Sequence, residues 1–426
     1  MSMAKQGAKT AAPRLRFPEF LKQPGFQATT VGQIARIVSA GGTPDTSEKS
    51  YWGGDIRWMN SGELNLKRVY EVQGRITKEG LKNSSTKQIP AHSVLIGLAG
   101  QGKTRGTVAM NMVALCINQS IAAIYPNEDA FVSDFLYHNL DGRYEELRAL
   151  SAGGEGRGGL NLQIIKDLEV LAPTLAEQQK IADCLTLLDE VISVQGRKVE
   201  TLKIHKRGLM QQFFPREGET RPRLRFPEFR NAPAWEETTI GEIGSFYYGK
   251  SAPKWSLDVD APTECVRYGE LYNKFDVVIT ETFSRTTIDP KSLRFSKGGE
   301  ILVPRVGEKP EDFGKCCCYL PLANVAIGEM ISVFETTQVP LFYTYYFRNL
   351  YRQFAKVVEG QNVKNLYYSE LEPLAICRPP LEEQQAIAGC LSSLDTQITA
   401  ETHQLAALKT HKQGLMQRLF PSSEGK

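Results

Sequence analysis

The chain has 426 residues, 41% hydrophobic and 23% charged, and its 51 basic and 48 acidic residues leave a net charge of +3. At ~100–200 residues per domain this makes two to four domains with real cores, and the composition excludes disordered, collagen-like and disulfide-knotted classes. So small a charge gives no general attraction for nucleic acid, so any such binding has to come from local patches.

Residues 1–13 are basic and Ala-rich, lack the apolar run of a signal peptide, and read as a disordered extension. No run of ~18 apolar residues occurs further along, so no membrane span and a cytoplasmic location are expected. Residues 14–172 read as a mixed α/β segment with many short strands. Ser93–Ile96 looks like a buried strand and Phe131–Leu150 like an amphipathic helix. Around Tyr51–Trp58, the residues Trp52, Arg57, Asn60 and Ser61 offer ring, guanidinium, amide and hydroxyl groups able to read base edges; Trp58 itself is more simply a core residue. Gly97–Thr104 satisfies G-x-x-x-x-G-K-[ST], yet a phosphate-binding loop of that kind also needs a helix next. The next residues, Arg105-Gly-Thr-Val-Ala, read as more strand. The alternative is a basic glycine loop that puts Lys103, Thr104 and Arg105 beside phosphates. A second glycine-rich loop, Gly153–Gly159 with Arg157, precedes Asn161.

Residues 173–215 form one long predicted helix. Seam positions recur in steps of four and three along Ile181, Leu185, Leu188, Ile192, Gln195, Val199, Leu202, Lys206, Leu209 and Phe213, eight of the ten apolar and two, Gln195 and Lys206, polar breaks. A 3.5-residue period held this long indicates a coiled coil. Thr174 and Glu177 suggest a capping box at its start, and Pro215 ends it. A linker, 216–222, comes next.

Then the chain repeats itself. Pro13-Arg-Leu-Arg-Phe-Pro-Glu-Phe20 returns as Pro222-Arg-Leu-Arg-Phe-Pro-Glu-Phe229, 209 residues on. Residues 223–378 form a second mixed segment with a strand at Gly299–Val303 and a helix at Leu341–Val358. Its basic and aromatic candidates are Lys250, Lys254, Tyr268, Arg305, Lys309 and Lys315. Gly360–Asn365, with Lys364 and Asn365, stands where Gly153–Gly159 stands in the first half. For each of these residues singly, a solvated surface role is the competing reading. Cys316-Cys-Cys318 has no companion Cys/His cluster at metal-ligand spacing and reads as alternating strand residues, while Cys184 and Cys390 read as helix-packing positions. Residues 379–421 repeat the long helix at an offset of 206, with the seam Ile387, Leu391, Leu394, Ile398, Glu401, Leu405, Leu408, Lys412, Leu415 and Leu419; 422–426 are a tail. Each helix spans roughly 58 Å. The expected fold is therefore α+β: two mixed α/β segments separated by two helices that pair as an antiparallel coiled coil, with a pseudo-two-fold internal repeat. The seam rests on Leu185, Leu188, Ile192, Val199 and Leu202 against Leu391, Leu394, Ile398, Leu405 and Leu408. The five histidines (His92, His138, His205, His403, His411) are scattered. No nucleophile–base set, methyltransferase-like Asn-Pro-Pro-Tyr or nuclease carboxylate cluster is present. The expectation is a chain with no catalytic residue and no metal of its own.

Three duplicated motifs, Leu-Arg-Phe-Pro-Glu-Phe heading each half, Pro-x-Leu-x-Glu-Gln-Gln-x-Ile-Ala opening each long helix and Gly-Leu-Met-Gln near each helix end, make the chain resemble the specificity subunits of type I restriction–modification systems over almost its whole length. The resemblance implies two target recognition domains, 14–172 and 223–378, each reading one half of a bipartite, asymmetric double-stranded DNA target. It implies that the coiled coil sets the spacer and docks two modification subunits, which carry S-adenosylmethionine and methylate adenine N6 after base flipping. Restriction subunits would add ATP- and Mg²⁺-dependent cleavage, leaving no cofactor on this chain. Glu177, Gln178, Gln179, Glu383, Gln384 and Gln385 would face the modification subunits. Two other readings stand beside this one: a nucleotide-binding protein using Gly97–Thr104, and a coiled-coil adaptor with no DNA role.

Overall fold

A computed structural model describes residues 10–100, 104–151, 159–250 and 252–421. The chain divides into two compact units, Met1–Gly196 with His403–Lys426, and Arg197–Thr402. Each unit therefore holds one globular segment and part of both long helices, which run Leu175–Phe213 and Leu381–Leu419, 39 residues apiece.

In unit 1 the central sheet has five strands in the order Ala35–Ala40, Ile121–Pro126, Val94–Gly97, Val108–Asn111, Arg68–Val69. Its middle strands are buried on both faces, so their sequences are continuous apolar runs. Side chains alternate across a strand, and the alternation divides two cores. Val94, Ile96, Val108 and Met110 face the core that takes in Ile181, Leu185, Met416 and Leu419 of the long helices. Leu95, Ala109, Ile121 and Ala123 face a second core under the smaller sheet that contains Trp52–Met59.

Unit 2 repeats the plan. Its sheet order is Gly244–Tyr248, Ile331–Thr336, Glu300–Pro304, Cys318–Leu320. Ile301, Val303 and Phe334 pack with Phe213, Ile387 and Leu391 of the long helices and with Phe214 just past the first, while Leu302, Ile331 and Val333 face the opposite core.

Three sequence expectations need correction. The helix expected over Phe131–Leu150 is two, Ser133–Asp141 and Tyr144–Leu150, broken at Gly142; the one over Leu341–Val358 is likewise Pro340–Asn349 and Tyr351–Lys356, broken at Leu350. Periodicity carries across a tight turn that keeps the same face buried, so it hides the break. Of the three adjacent cysteines only Cys318 lies in a strand; Cys316 ends the helix Pro310–Lys315 and Cys317 is buried with its thiol on the Phe313 carbonyl. Burial raises all three thiols, that of Cys318 to about 12, which leaves them unreactive. The capping box of Thr174 and Glu177 does not form, because both Glu177 oxygens are taken by Arg16.

The long helices pair within each unit. Every seam position is buried or half-buried, while Leu187, Val191, Val194 and Ile204, off the seam, are exposed. In unit 2, Lys198 meets Glu401 at 2.6 Å and Lys206 meets Asp395. Numbers rise on one helix as they fall on the other, so the helices run antiparallel. In unit 1, Asp189 meets Lys412 at 2.6 Å beside the shared core of Leu185 and Met416.

Candidate nucleic-acid interface

The two repeated motifs clasp one another inside each unit. Arg16 Nε and Nη2 donate to the Glu177 carboxylate, both at 2.7 Å. Arg225 does the same to Glu383 at 2.8 and 2.6 Å, and Trp235 Nε1 adds a third bond at 3.1 Å. Gln178 accepts from the Val132 amide and donates to the Pro173 carbonyl; Gln384 accepts from Val339 and donates to Pro379. Glu177, Gln178, Glu383 and Gln384 are 0–2% exposed. They therefore offer nothing to a modification subunit, contrary to the expectation from sequence: a carboxylate with a bidentate arginine, once buried, is an internal fastening. Gln179 and Gln385 are exposed.

The polar breaks in the seam form a second repeated device. Lys412 pairs with Asp189 and Lys206 with Asp395, and these are the same two repeat positions with their partners exchanged. Beside Asp189 stands buried His138, whose Nδ1 is 3.8 Å away and whose Nε2 contacts Thr186. Beside Asp395 stands Tyr345, whose hydroxyl donates to it at 2.6 Å. Burial, then the nearby Lys412 and Arg68 charges, hold His138 well below the ordinary histidine range. Burial and the Asp395 carboxylate push the Tyr345 phenol up.

The predicted contact residues are spread over each unit. In unit 1, Trp52 and Trp58 meet edge-to-face at 5.1 Å, and their indole N–H groups donate to the Asp45 and Gly42 carbonyls. Arg57 shares Glu71 with Arg75; the Val72 amide, then those arginines, hold Glu71 down to about 2. Asn60 caps the turn that begins at Ser61, and Asn161 caps the helix Leu162–Asp167. Lys103 and Arg157 lie outside the described residues. Gly97–Thr104 does not lead into a helix. The Gly106 amide donates back to Gly97 at 2.9 Å, with Gly106 at φ +78°, and Val108–Asn111 then runs antiparallel to Val94–Gly97. A loop that returns into its own sheet presents no helix N-terminus to a phosphate, so the nucleotide-binding reading loses its geometry.

In unit 2, Lys250, Lys254 and Lys309 are exposed, and Tyr268 begins a helix at the rim of the second core. Lys315 is committed to Glu311 and to the Tyr351 ring. Lys364 and Asn365 form a short strand against Val306–Gly307. Arg305 stands over two rings, its guanidinium 4.5 Å from the Tyr248 centroid and 5.3 Å from that of Tyr367. The aromatic side of this arrangement is what sequence reading missed, together with Trp255, which stands 79% exposed next to Lys254. Its signals were present only as scattered tyrosines and a Lys-Trp dipeptide. Among the described residues no group of three or more His, Cys, Asp or Glu is placed to hold a metal, and no helix is long and apolar enough to cross a membrane.

A duplicated, internally clasped helical frame carrying two globular segments with different rim side chains is the plan of a two-part scaffold. The family model for the type I restriction modification DNA specificity domain matches residues 24–203 and again 234–410, and the chain belongs to that family. It is 24% identical to the MjaIX type I restriction enzyme specificity subunit of Methanocaldococcus jannaschii, over 92% of this chain and 95% of that one. Its fold resembles the crystal structure of a type I restriction–modification S subunit from M. genitalium, with a TM-score of 0.62 at 15% identity over 97% and 100% of the two chains. It also resembles a chain from a structure on complex assembly and conformational transition of the type I system, with a TM-score of 0.55 at 16% identity over 94% and 99%.

Proposed function

We propose that this chain is the non-catalytic DNA-reading subunit of a cytoplasmic type I restriction–modification complex. Each unit reads one half of a bipartite, asymmetric target, and the paired helices set the spacer. The helices also dock two adenine-N6 methyltransferase subunits, through exposed positions rather than the buried Glu-Gln pairs. S-adenosylmethionine, and the ATP and Mg²⁺ of the restriction subunits, belong to those partners. One observation carries the reading: the clasps and seam ion pairs are duplicated while the side chains at strand ends differ between the units. A duplicated frame with divergent rims suits one task performed on two sequences.

The test is exchange of residues 29–172 for the matching segment of another family member, with methylated adenines then mapped. The first half of the methylated motif should change while the second half and the spacer persist. Change in both halves, or in neither, refutes modular reading.

A further inference from the structure

Several arginines of unit 2 are occupied by carboxylates or carbonyls, and others face solvent. Arg225 binds Glu383, Arg285 binds Glu264, Arg348 binds Asp276, Arg378 binds Glu236, and Arg267 and Arg294 donate to the Ala252 and Tyr248 carbonyls. Arg305 differs. Its Nε is buried without a hydrogen-bond partner, and no carboxylate or carbonyl among the described residues takes its other N–H groups. Yet it is firmly placed. Its amide donates to the Met330 carbonyl and its carbonyl accepts from Leu366. The guanidinium packs on the rings of Tyr248 and Tyr367, and the Tyr248 ring itself lies 4.6 Å from Tyr368. A guanidinium held between ring contacts and backbone bonds, half-exposed and with its terminal N–H groups without an acceptor, is suited to a ligand that offers two acceptor oxygens or nitrogens side by side.

The equivalent place in unit 1 is built differently. Strand pairing sets Ala40 opposite Ala122 where Tyr248 faces Ser332. Leu160 donates to the Leu98 carbonyl just as Leu366 donates to that of Arg305. The trio Tyr248, Arg305 and Tyr367 thus answers to Ala40, Leu98 and Asn161. The frame is common to both units and this trio belongs to one. Unit 1 has its own arginine in the same connection between central strands, Arg105, and its Nε too is buried without a partner.

We infer that Arg305, oriented by Tyr248 and Tyr367, is a DNA-contacting residue of unit 2 that donates to a paired acceptor, either the O6/N7 edge of a guanine or a backbone phosphate. The inference rests on the reading of this chain as a DNA-recognition subunit. Tyr248 and Tyr367 are positioning residues.

The experiment uses the full-length chain assembled with its modification subunits, in wild-type, R305A and R305K forms. Methylated adenines are mapped across a bacterial genome, and duplex binding is measured over a salt series. Contact with guanine predicts that R305A leaves the first half of the motif intact and relaxes one G·C position in the second, by roughly 10- to 100-fold in preference, with R305K giving little rescue because lysine lacks the fork. Contact with phosphate predicts an unchanged motif, uniformly weaker binding with a salt slope smaller by about one, and rescue by R305K. An unchanged motif with unchanged affinity and salt slope overturns the inference. Persistence of the first half-motif reports that the variant is folded; if R305A loses both halves, Y367L, which leaves the charge in place, must either relax the second half alone or weaken binding with the motif unchanged, or the inference also fails. A wild-type complex without sequence-selective methylation would instead refute the underlying reading of the chain.

Discussion

Replacing Lys412 by methionine removes the cation from Asp189 while keeping an apolar stem to cover the helix seam. The two side chains retain 13% and 24% exposure and their atoms meet at 2.6 Å. An exposed ion pair contributes ~0.2–1 kcal/mol, whereas stranding one charge of a buried pair costs ~3–5 kcal/mol. At this intermediate burial the loss should be about 2 kcal/mol. The repeat supplies its own comparison. In unit 2, Lys206→Met strands Asp395, but that carboxylate keeps the hydrogen bond from the Tyr345 hydroxyl at 2.6 Å. Asp189 has only His138 Nδ1 at 3.8 Å, beyond hydrogen-bond reach. The unit 2 variant should therefore lose less, by about 1 kcal/mol. Because two units need not unfold as one, the assay is amide hydrogen exchange, read at residues 185–196 for the first variant and 391–401 for the second. Exposed Lys409→Met is the control. If Lys412→Met falls no further than Lys409→Met, or if Lys206→Met falls further than Lys412→Met, the account of the seam pairs is wrong.

Glu383→Gln should destabilise unit 2 by ~3 kcal/mol, because it leaves the Arg225 charge unpaired at 4% exposure; urea unfolding monitored by Trp fluorescence would report it, and a change within 0.5 kcal/mol would mean the clasp is dispensable. Unit 1 should weaken as pH falls below about 6.5: the unfolded chain binds a proton at His138 that the folded chain, with its depressed histidine, does not. Exchange rates in unit 1 should show this slope, His138→Gln should flatten it, and a slope unchanged in that variant would assign it elsewhere. Titration calorimetry with ATP and Mg²⁺ on the full chain should give no binding heat; heat abolished by Lys103→Ala would reinstate the phosphate-loop reading.

The long helices were legible because burial imposes one rule on both: twenty seam positions in steps of four and three, interrupted at repeat-related lysines. The partners of those lysines were not legible. Asp189 and Asp395 lie one step off the seam, and only the antiparallel pairing brings a residue of one repeat against a residue of the other. The Glu-Gln motif shows the opposite error. Repetition marked it as important, but repetition does not distinguish an internal fastening from a docking surface, and burial of Glu177 and Glu383 decides the matter. Glycine spacing at Gly97–Thr104 shows why a pattern alone is not enough: it records turn residues, while the chemistry depends on what the chain does after the turn, and the strand-like residues from Arg105 onward already pointed away from a phosphate loop. The arrangement we propose to contact DNA was legible least, since Tyr248, Arg305 and Tyr367 come from three strand ends far apart in sequence.

Placing the variable side chains at strand ends is how one frame would serve the two targets we propose. The middle of each central strand is fixed by two cores at once, one per face, so a change there disturbs both. The residue one step past the strand meets only one core or none, which is why a leucine at 98 and an arginine at 305 sit on the same backbone hydrogen bond. Substitution at such positions alters the polar rim while the clasp and the seam pair, set against the long helices, remain as they are. The same logic accounts for the small net charge. Most arginines among the described residues are spent on carboxylates and carbonyls within the chain, so on the proposed reading recognition would fall to those held in place and left without an acceptor.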